Sequence, residues 1–523
     1  MDLDRVKTIA YVLQGLVLLT GLFAYFLKGE RRKTAVIALL TSCTLLSAVV
    51  LGASAIKPKD DKGSALMDVG QAEFSLRFCG LSDAMAEATG LDAKASGKLP
   101  GPVSGLLTQK SDQLEKLKEA AEKGMEAAVR KDPQSLSYRY KQIFMLGENG
   151  KLHKSSLAAF DESKDKQAPE VKALLSAMFF EKKIAAGAVE HSLKLAETLA
   201  PSGTFRALSR IRIYECAGLE KEARDERESF RSSSVDFAIH LIFLGAYLIF
   251  SVLVGLIVIL VQFILLPRSL SATEDFREIQ APVDYGFARV YGVFVGWLAL
   301  ECMLSPLVVK LLPQIKGIAS SPALVAIVTM AIYLITNLPA LLLAWFIAIK
   351  PFGLKFFEAV KLRASTPRRK MPGLIAAGLL TWFACVPLVV VASLAAKFLL
   401  KAQGSSNPIL AVVMDAARSP NIVNAALFVL AIGVLPAFCE EILFRGFLYT
   451  ALRKRLGALL SMLISAAIFA GIHVDPGAFP QLFVLGFAFA FVFERTRSLI
   501  PNMIAHCLWN SGTFMLMMII FGS

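Results

Sequence analysis

The chain has 523 residues, of which 55% are hydrophobic, and its mean hydropathy is +0.58. This composition is too apolar for an ordinary soluble protein. The formal net charge of +14 would suit a nucleic-acid-binding protein, but the basic residues cluster in short loops beside apolar runs, which is the pattern of a membrane protein.

Apolar runs long enough to cross about 30 Å of hydrocarbon recur along the chain. Helices and closed barrels are the structures that satisfy their own backbone groups in a bilayer, and runs of this length are typical of helices. We therefore predict an all-α, polytopic helical membrane protein with about ten transmembrane helices and an inserted extramembrane helical domain. The predicted spans are 8–27, 34–56, 237–266, 286–309, 323–349, 374–396, 422–451, 457–473, 481–493 and 499–521.

The distribution of basic residues predicts the orientation of these helices. The loops on one side of the membrane hold 18 Lys and Arg residues, whereas the short segments on the other side hold 7. Because basic loops favour the cytoplasmic side, the first set is predicted to be cytoplasmic, and residues 57–236 are predicted to lie outside the cytoplasm. The first apolar run is followed at once by the basic stretch Lys28–Lys33, which indicates a membrane anchor and not a cleavable signal peptide.

Three parts of the chain are predicted. Residues 1–56 form a two-helix membrane anchor hairpin, 57–236 form an extramembrane helical domain, and 237–523 form an eight-helix membrane core. Apolar residues at helical spacing predict helices in the second part over Leu106–Val129, Gln167–Phe180, Ile184–Leu199 and Gly203–Ala217. A degenerate helical repeat is one interpretation of this part, although no clean period is present.

Two further features leave alternatives open. Cys79 and Cys216 lie in the extramembrane domain and could pair in an oxidising compartment. Glu301 lies inside the fourth predicted span, where a carboxylate is energetically costly. It could be a satisfied structural group, the partner of a buried cation, or part of an active cavity.

The stretch Phe438–Phe447 places two carboxylates and a guanidinium in the middle of an apolar helix. A charge at this depth usually marks a functional site. Glu441 and Arg445 are four residues apart and share a helical face, so they can pair. Glu440 is turned about 100° away from that face. The pattern predicts that Arg445 neutralises Glu441 and that Glu440 is left for another role.

Three more polar residues lie in the last spans. His473 ends the eighth span, and His506 and Asn510 share one face of the tenth. At about 1.5 Å per residue, these residues and Glu440 are about 14–24 Å from the cytoplasmic ends of their helices, inside the membrane. A carboxylate and an imidazole can activate a water, and a second imidazole and an amide can stabilise an oxyanion. Two His and one Glu are also a possible zinc set.

These residues resemble a known family. The sequences Glu440-Glu441-x-x-x-Arg445, Phe469-x-x-x-His473 and His506-x-x-x-Asn510 are similar to the three motifs of the type II CAAX prenyl endopeptidases and their bacterial Abi, or CPBP, relatives. The resemblance covers residues 370–523, with the motifs in 422–521. It implies an eight-helix intramembrane protease core and a glutamate mechanism without a metal or other cofactor.

The resemblance also implies the role of each site residue. Glu440 and His473 would activate water, His506 and Asn510 would form the oxyanion hole, and Glu441 and Arg445 would support the site. It implies an intramembrane glutamate-type endopeptidase that hydrolyses membrane-associated substrates, CAAX-like or bacteriocin-type.

The anchor hairpin and the outer domain favour a protein of the bacterial inner (cell) membrane. Expected partners are a membrane-associated protein or peptide substrate, the lipid bilayer and a protein bound by 57–236, but no nucleic acid. A zinc metalloprotease and a non-proteolytic scaffold or transporter are the alternatives.

Overall fold

A computed structural model gives the structure of the chain. It describes residues 12–14, 16–17, 19, 34, 36–45, 65, 68–78, 101–201, 203–270, 284–311, 321–362, 371–399, 421–473, 475 and 477–521. From residue 101 onward the principal helices are α1 Gly101–Lys131, α2 Leu136–Glu148, α3 Ala168–Ser176, α4 Val189–Leu199, α5 Gly203–Ala217, α6 Glu220–Leu270, α7 Phe287–Leu311, α8 Pro322–Leu343, α9 Met371–Leu399, α10 Ile422–Arg453, α11 Ala458–Gly471, α12 Phe479–Thr496 and α13 Ile500–Phe521.

Regular structure in the described residues is entirely helical, which confirms the predicted fold class. Seven described helices, α6 to α10, α12 and α13, are long and apolar enough to cross a membrane. The predicted span 8–27 and much of 34–56 lie outside the described residues, although Val36–Leu45 is an apolar helix. The predicted span 457–473 corresponds to α11, whose 14 residues extend about 21 Å.

The described residues divide into two compact units. The first, which we call the membrane unit, contains the described parts of 1–58, 248–406 and 421–513. The second contains the described parts of 59–247 and 514–523, and we call it the outer unit because residues 57–236 are predicted to lie outside the cytoplasm. The division falls inside α6, a single helix of 51 residues, and the predicted boundary at residue 236 falls inside the same helix.

The outer unit is a set of helices around one aromatic and aliphatic core. Tyr140, Phe144 and Phe205 are fully buried there, and the Tyr140 hydroxyl donates to Ser209 Oγ at 2.7 Å. The predicted helix Gly203–Ala217 is α5, with the same bounds. Cys79 lies outside the described residues, whereas Cys216 is a buried free thiol that donates to the Met178 carbonyl at 3.4 Å.

The membrane unit is packed around large aromatic side chains of α10, α11 and α12. Phe444, Phe469 and Phe493 are almost completely buried there. Gly486 of α12 allows α11 to approach closely, because a Cβ at this position would lie 3.0 Å from the Ala466 Cα. This close approach brings the α12 backbone within reach of side chains from α10.

Helix α10 carries the motif with two carboxylates, and its backbone is not a uniform α-helix. It changes to π-helical geometry over Val429–Val434 and again over Ile442–Tyr449. The α-helical turns between them, Leu435–Glu441, carry Glu440 and Glu441. Wider π-helical turns inside α-helices are frequent at functional sites.

Candidate active site

The centre of the site is the fully buried pair of Glu441 and Arg445 on α10. The Arg445 Nη1 donates to Glu441 Oε1 at 2.8 Å, and both side chains are 0% exposed. The pairing predicted from their spacing is therefore present. Charges at this depth require both a counter-charge and further hydrogen bonds to offset their desolvation.

Arg445 obtains its further contacts from α11 and α12. Its Nη2 donates to the Gly486 carbonyl at 3.0 Å. Its guanidinium carbon lies 4.5 Å from the centre of the Phe469 ring and 5.3 Å from that of Phe489. Aromatic faces attract cations, and this attraction is stronger away from water. The guanidinium is thus fixed between aromatic rings and a backbone carbonyl.

Glu441 receives hydrogen bonds from two residues of α13 in addition to Arg445. The His506 Nδ1 lies 2.8 Å from Glu441 Oε1, and the Asn502 Nδ2 donates to Glu441 Oε2 at 3.3 Å. An ionised carboxylate only accepts hydrogen bonds, so the facing His506 Nδ1 carries a proton. The His506 ring also stacks on Phe489, with centroids 5.3 Å apart. Together these contacts fix the orientation of the imidazole, so that its other nitrogen, Nε2, faces away from Glu441.

That other nitrogen is directed toward Glu440. The distance from His506 Nε2 to Glu440 Oε2 is 3.9 Å, and the Glu440 side chain remains 13% exposed. This distance is too long for a direct hydrogen bond but one water can bridge it. The second oxygen, Glu440 Oε1, accepts a hydrogen bond from the Tyr333 hydroxyl of α8 at 3.0 Å. Glu440 is therefore held on one side and accessible on the other.

His473 and Asn510 lie at the edges of this arrangement. The His473 Nδ1 is 2.8 Å from the Phe469 carbonyl oxygen. The rings of His473 and His506 both contact the Phe469 ring, with centroids 5.1 and 6.1 Å away. The Asn510 Nδ2 donates to the Ile432 carbonyl at 3.0 Å, which ties α13 to the first π-helical segment of α10. Direct contacts join Glu441, Arg445 and His506, while His473 reaches the group through Phe469.

Sequence reasoning missed Asn502 and Tyr333. Asn502 precedes His506 by four residues, so the same helical spacing that links His506 to Asn510 could have indicated it. Tyr333 has no such local signal, because it lies 107 residues from Glu440 along the chain. Glu301 is partly buried on α7.

The zinc alternative requires ligand side chains that converge on one point. Within the part of the chain that the structure describes, no group of three or more His, Cys, Asp or Glu side chains has that arrangement. The His506 Nδ1 faces the Glu441 carboxylate, which leaves Nε2 as the nitrogen that a metal could bind.

Comparisons with known proteins found similarity to membrane peptidases. Residues 422–512 match the family model described as type II CAAX prenyl endopeptidase Rce1-like. A protein of Bacillus subtilis (strain 168) named "Putative membrane peptidase YdiL" is 30% identical over 92 residues, which are 18% of this chain and 37% of that protein. The chain thus aligns with just over a third of the length of this relative, and no solved structure matches the chain.

The matched region contains every residue of the candidate site predicted from the sequence, from Glu440 to Asn510. The resemblance seen in the three motifs is therefore confirmed, and the comparisons point to a peptidase. The chain is an integral membrane protein whose residues 422–512 match the Rce1-like family of type II CAAX prenyl endopeptidases.

Proposed function

We propose that this protein is an intramembrane endopeptidase in which Glu440 activates a water to hydrolyse a peptide bond. The observation that supports this proposal most directly is the 3.9 Å separation between Glu440 Oε2 and His506 Nε2, with Glu440 partly exposed and His506 fixed by Glu441. A carboxylate and an oriented imidazole held this close together are the groups that water-mediated amide hydrolysis needs.

The proposed reaction has two steps. Glu440 takes a proton from the water while the water oxygen bonds to the scissile carbonyl carbon, and the carbonyl oxygen becomes an oxyanion. The C–N bond then breaks, and Glu440 returns the proton to the leaving nitrogen. His473 assists Glu440 with the water, as the family resemblance implies.

Oxyanion stabilisation is assigned to His506 and Asn510. An imidazolium donates from both nitrogens, so His506 can donate to Glu441 through Nδ1 and to the oxyanion through Nε2. Asn510 adds an amide donor, and hydrogen bonds of this kind are strongest where water is excluded. Glu441 and Arg445 act on the reaction through the orientation of His506.

The first test is cleavage of a quenched fluorescent transmembrane peptide by the purified protein in lipid nanodiscs. Glu440→Gln is expected to lower the rate about 10³-fold, because the amide accepts no proton at neutral pH. Glu358→Gln changes an exposed carboxylate of the same unit and serves as the matched control, with an unchanged rate. Full activity of Glu440→Gln would exclude the proposed mechanism.

A zinc enzyme that uses the same residues is distinguished by its metal content. The proposal expects less than one zinc per ten protein molecules in active preparations, and activity that survives a chelator. Stoichiometric zinc, with activity lost on chelation and restored by zinc, would favour the metalloprotease instead.

A scaffold or transporter would show its cellular phenotype without proteolysis. Cells that carry Glu440→Gln would then behave as the wild type. The proposed protease predicts instead that uncleaved substrates accumulate in membranes of the Glu440→Gln cells. Quantitative comparison of the two membrane proteomes distinguishes these outcomes and identifies the substrates.

The proposed substrates are membrane-associated proteins or peptides, of CAAX-like or bacteriocin type. The predicted anchor hairpin and extramembrane domain support a bacterial cell membrane location. The distribution of Lys and Arg supports a position of residues 57–236 outside the cytoplasm. Protease added to intact spheroplasts is then expected to cut within 57–236. Resistance of this part in spheroplasts, with cleavage in inverted vesicles, would reverse the topology.

A further inference from the structure

Glu440 is held by a residue from another helix, to which neither the motifs nor the comparisons assign a role. We propose that Tyr333 of α8 is a positioning residue for Glu440. This inference rests on the proposed function, because it assigns Tyr333 to the same hydrolytic site. The Tyr333 hydroxyl donates to Glu440 Oε1 at 3.0 Å and leaves Oε2 on the side of His506.

The backbone that carries Tyr333 is itself fixed by polar contacts. Asn337 Nδ2 and Thr336 Oγ1 both donate to the Tyr333 carbonyl, each at 3.1 Å. The indole of Trp297 on α7 donates to the Thr336 carbonyl at 2.9 Å. Pro339 follows within the same helix, where its ring removes one backbone donor. These contacts hold the α8 backbone at Tyr333 without involving Glu440.

A fixed hydroxyl matters because a glutamate side chain has three rotatable bonds and can turn its carboxylate away from the reacting water. With Oε1 held by Tyr333, the carboxylate presents Oε2 to the space beside His506 Nε2. Orientation of a catalytic group before the reaction lowers the barrier of the chemical step more than it affects substrate binding. Loss of the hydroxyl is therefore expected to reduce kcat and to leave KM nearly unchanged.

The test uses Tyr333→Phe in the full-length protein in nanodiscs. The matched control is Tyr449→Phe, which removes a hydroxyl that donates to the buried carboxylate Glu494 at 2.6 Å in the same unit. Tyr333→Phe is expected to lower kcat 10- to 100-fold with KM within twofold of the wild type. Tyr449→Phe is expected to lower the Tm and to leave kcat per folded molecule within twofold.

A second measurement reports the contact without relying on activity. Tyr333→Phe is expected to lower the Tm of the wild type by a few degrees and to have no effect in a Glu440→Ala background. Equal Tm shifts in both backgrounds would show that Tyr333 does not act through Glu440, and would overturn the inference.

The outcomes separate this inference from the proposed function. If the wild type cleaves the peptide, Glu440→Gln does not, and Tyr333→Phe has the kcat of the wild type, the role of Tyr333 is wrong and the protease proposal stands. If the wild type cleaves no membrane peptide and Glu440→Gln leaves the membrane proteome unchanged, both fail. An inactive Glu440→Gln, together with a kcat loss in Tyr333→Phe but not in Tyr449→Phe and with Tm coupling to Glu440, supports both.

Discussion

The two units of the protein hold their charged groups in different ways. In the outer unit most ion pairs are partly exposed, such as Lys172 with Asp161, whose side chains are 37% and 59% exposed. In the membrane unit Glu441 and Arg445 pair at 0% exposure, and His506 and Asn502 complete the hydrogen bonds of the carboxylate. Lys172 and Asp161 thus remain largely in contact with solvent, whereas Glu441 and Arg445 are enclosed by the protein.

This difference in burial indicates different roles for the two ion pairs. An exposed pair contributes about 0–1 kcal/mol, so a pair such as Lys172 with Asp161 affects stability little. A buried pair must overcome a desolvation cost of several kcal/mol per ion, and apolar residues of similar volume would often be as stable. Stability therefore does not explain the network around Glu441. Its contact with His506, which fixes the imidazole opposite Glu440, gives it a function in the proposed site.

The largest expected effect comes from breaking the buried pair on one side. Arg445→Leu leaves the Glu441 carboxylate without its cation and is expected to lower the free energy of unfolding by about 3–5 kcal/mol. Tryptophan fluorescence during thermal unfolding in detergent measures this, because all four tryptophans lie in 248–513. The control is Glu441→Met with Arg445→Leu, which should regain most of the stability but stay inactive, since His506 loses its acceptor. An Arg445→Leu variant as stable as the wild type would contradict the expected cost of leaving the buried Glu441 carboxylate without its cation.

The outer unit also contains a buried ion pair, and breaking it is expected to have an intermediate effect on stability. The Lys141 Nζ lies 3.5 Å from Glu73 Oε1, with both side chains less than 10% exposed. Lys141→Met is expected to lower the stability of the outer unit by about 3 kcal/mol. Because 57–236 contains no tryptophan, limited proteolysis across a urea series is the suitable readout.

The exposed pair supplies the control for this prediction. Lys172→Met removes the same charge from a partly exposed position and is expected to change stability by less than about 1 kcal/mol. Equal effects of Lys141→Met and Lys172→Met would show that burial does not decide how much stability is lost when an ion pair is broken.

The smallest expected effect is a pH dependence outside the membrane. The hydrogen bond from Arg455, at 2.8 Å, lowers the pKa of the exposed Asp284 carboxyl below its ordinary value. A carboxyl with a lowered pKa in the folded state stabilises the protein above its unfolded pKa, near 3.8. This contribution disappears as the pH falls through the folded pKa.

The measurement is the Tm of the wild type and of Asp284→Asn between pH 3 and pH 7. The two proteins should differ slightly at pH 7, and the difference should shrink as the pH falls through the lowered pKa of Asp284. A Tm difference that grew toward acidic pH would contradict the lowered pKa of Asp284.

Helical spacing alone predicted much of the membrane unit. The apolar runs predicted α7, α8 and α10 closely, and the four-residue spacing of Glu441 and Arg445 predicted their ion pair. These features are local, because a helix fixes which residues share a face within one or two turns. The π-helical segments of α10 were not predicted, since they depend on packing around the helix.

The sequence by itself determined that this is a helical membrane protein and identified the polar residues inside its C-terminal spans. Only the tertiary structure decided which of those residues meet: His506 bonds to Glu441 across 65 residues of chain, and Tyr333 bonds to Glu440 across 107. The physical reason is that spacing fixes the direction of a side chain within its own helix. The partner in that direction depends on how the helices pack, which here includes the close approach at Gly486.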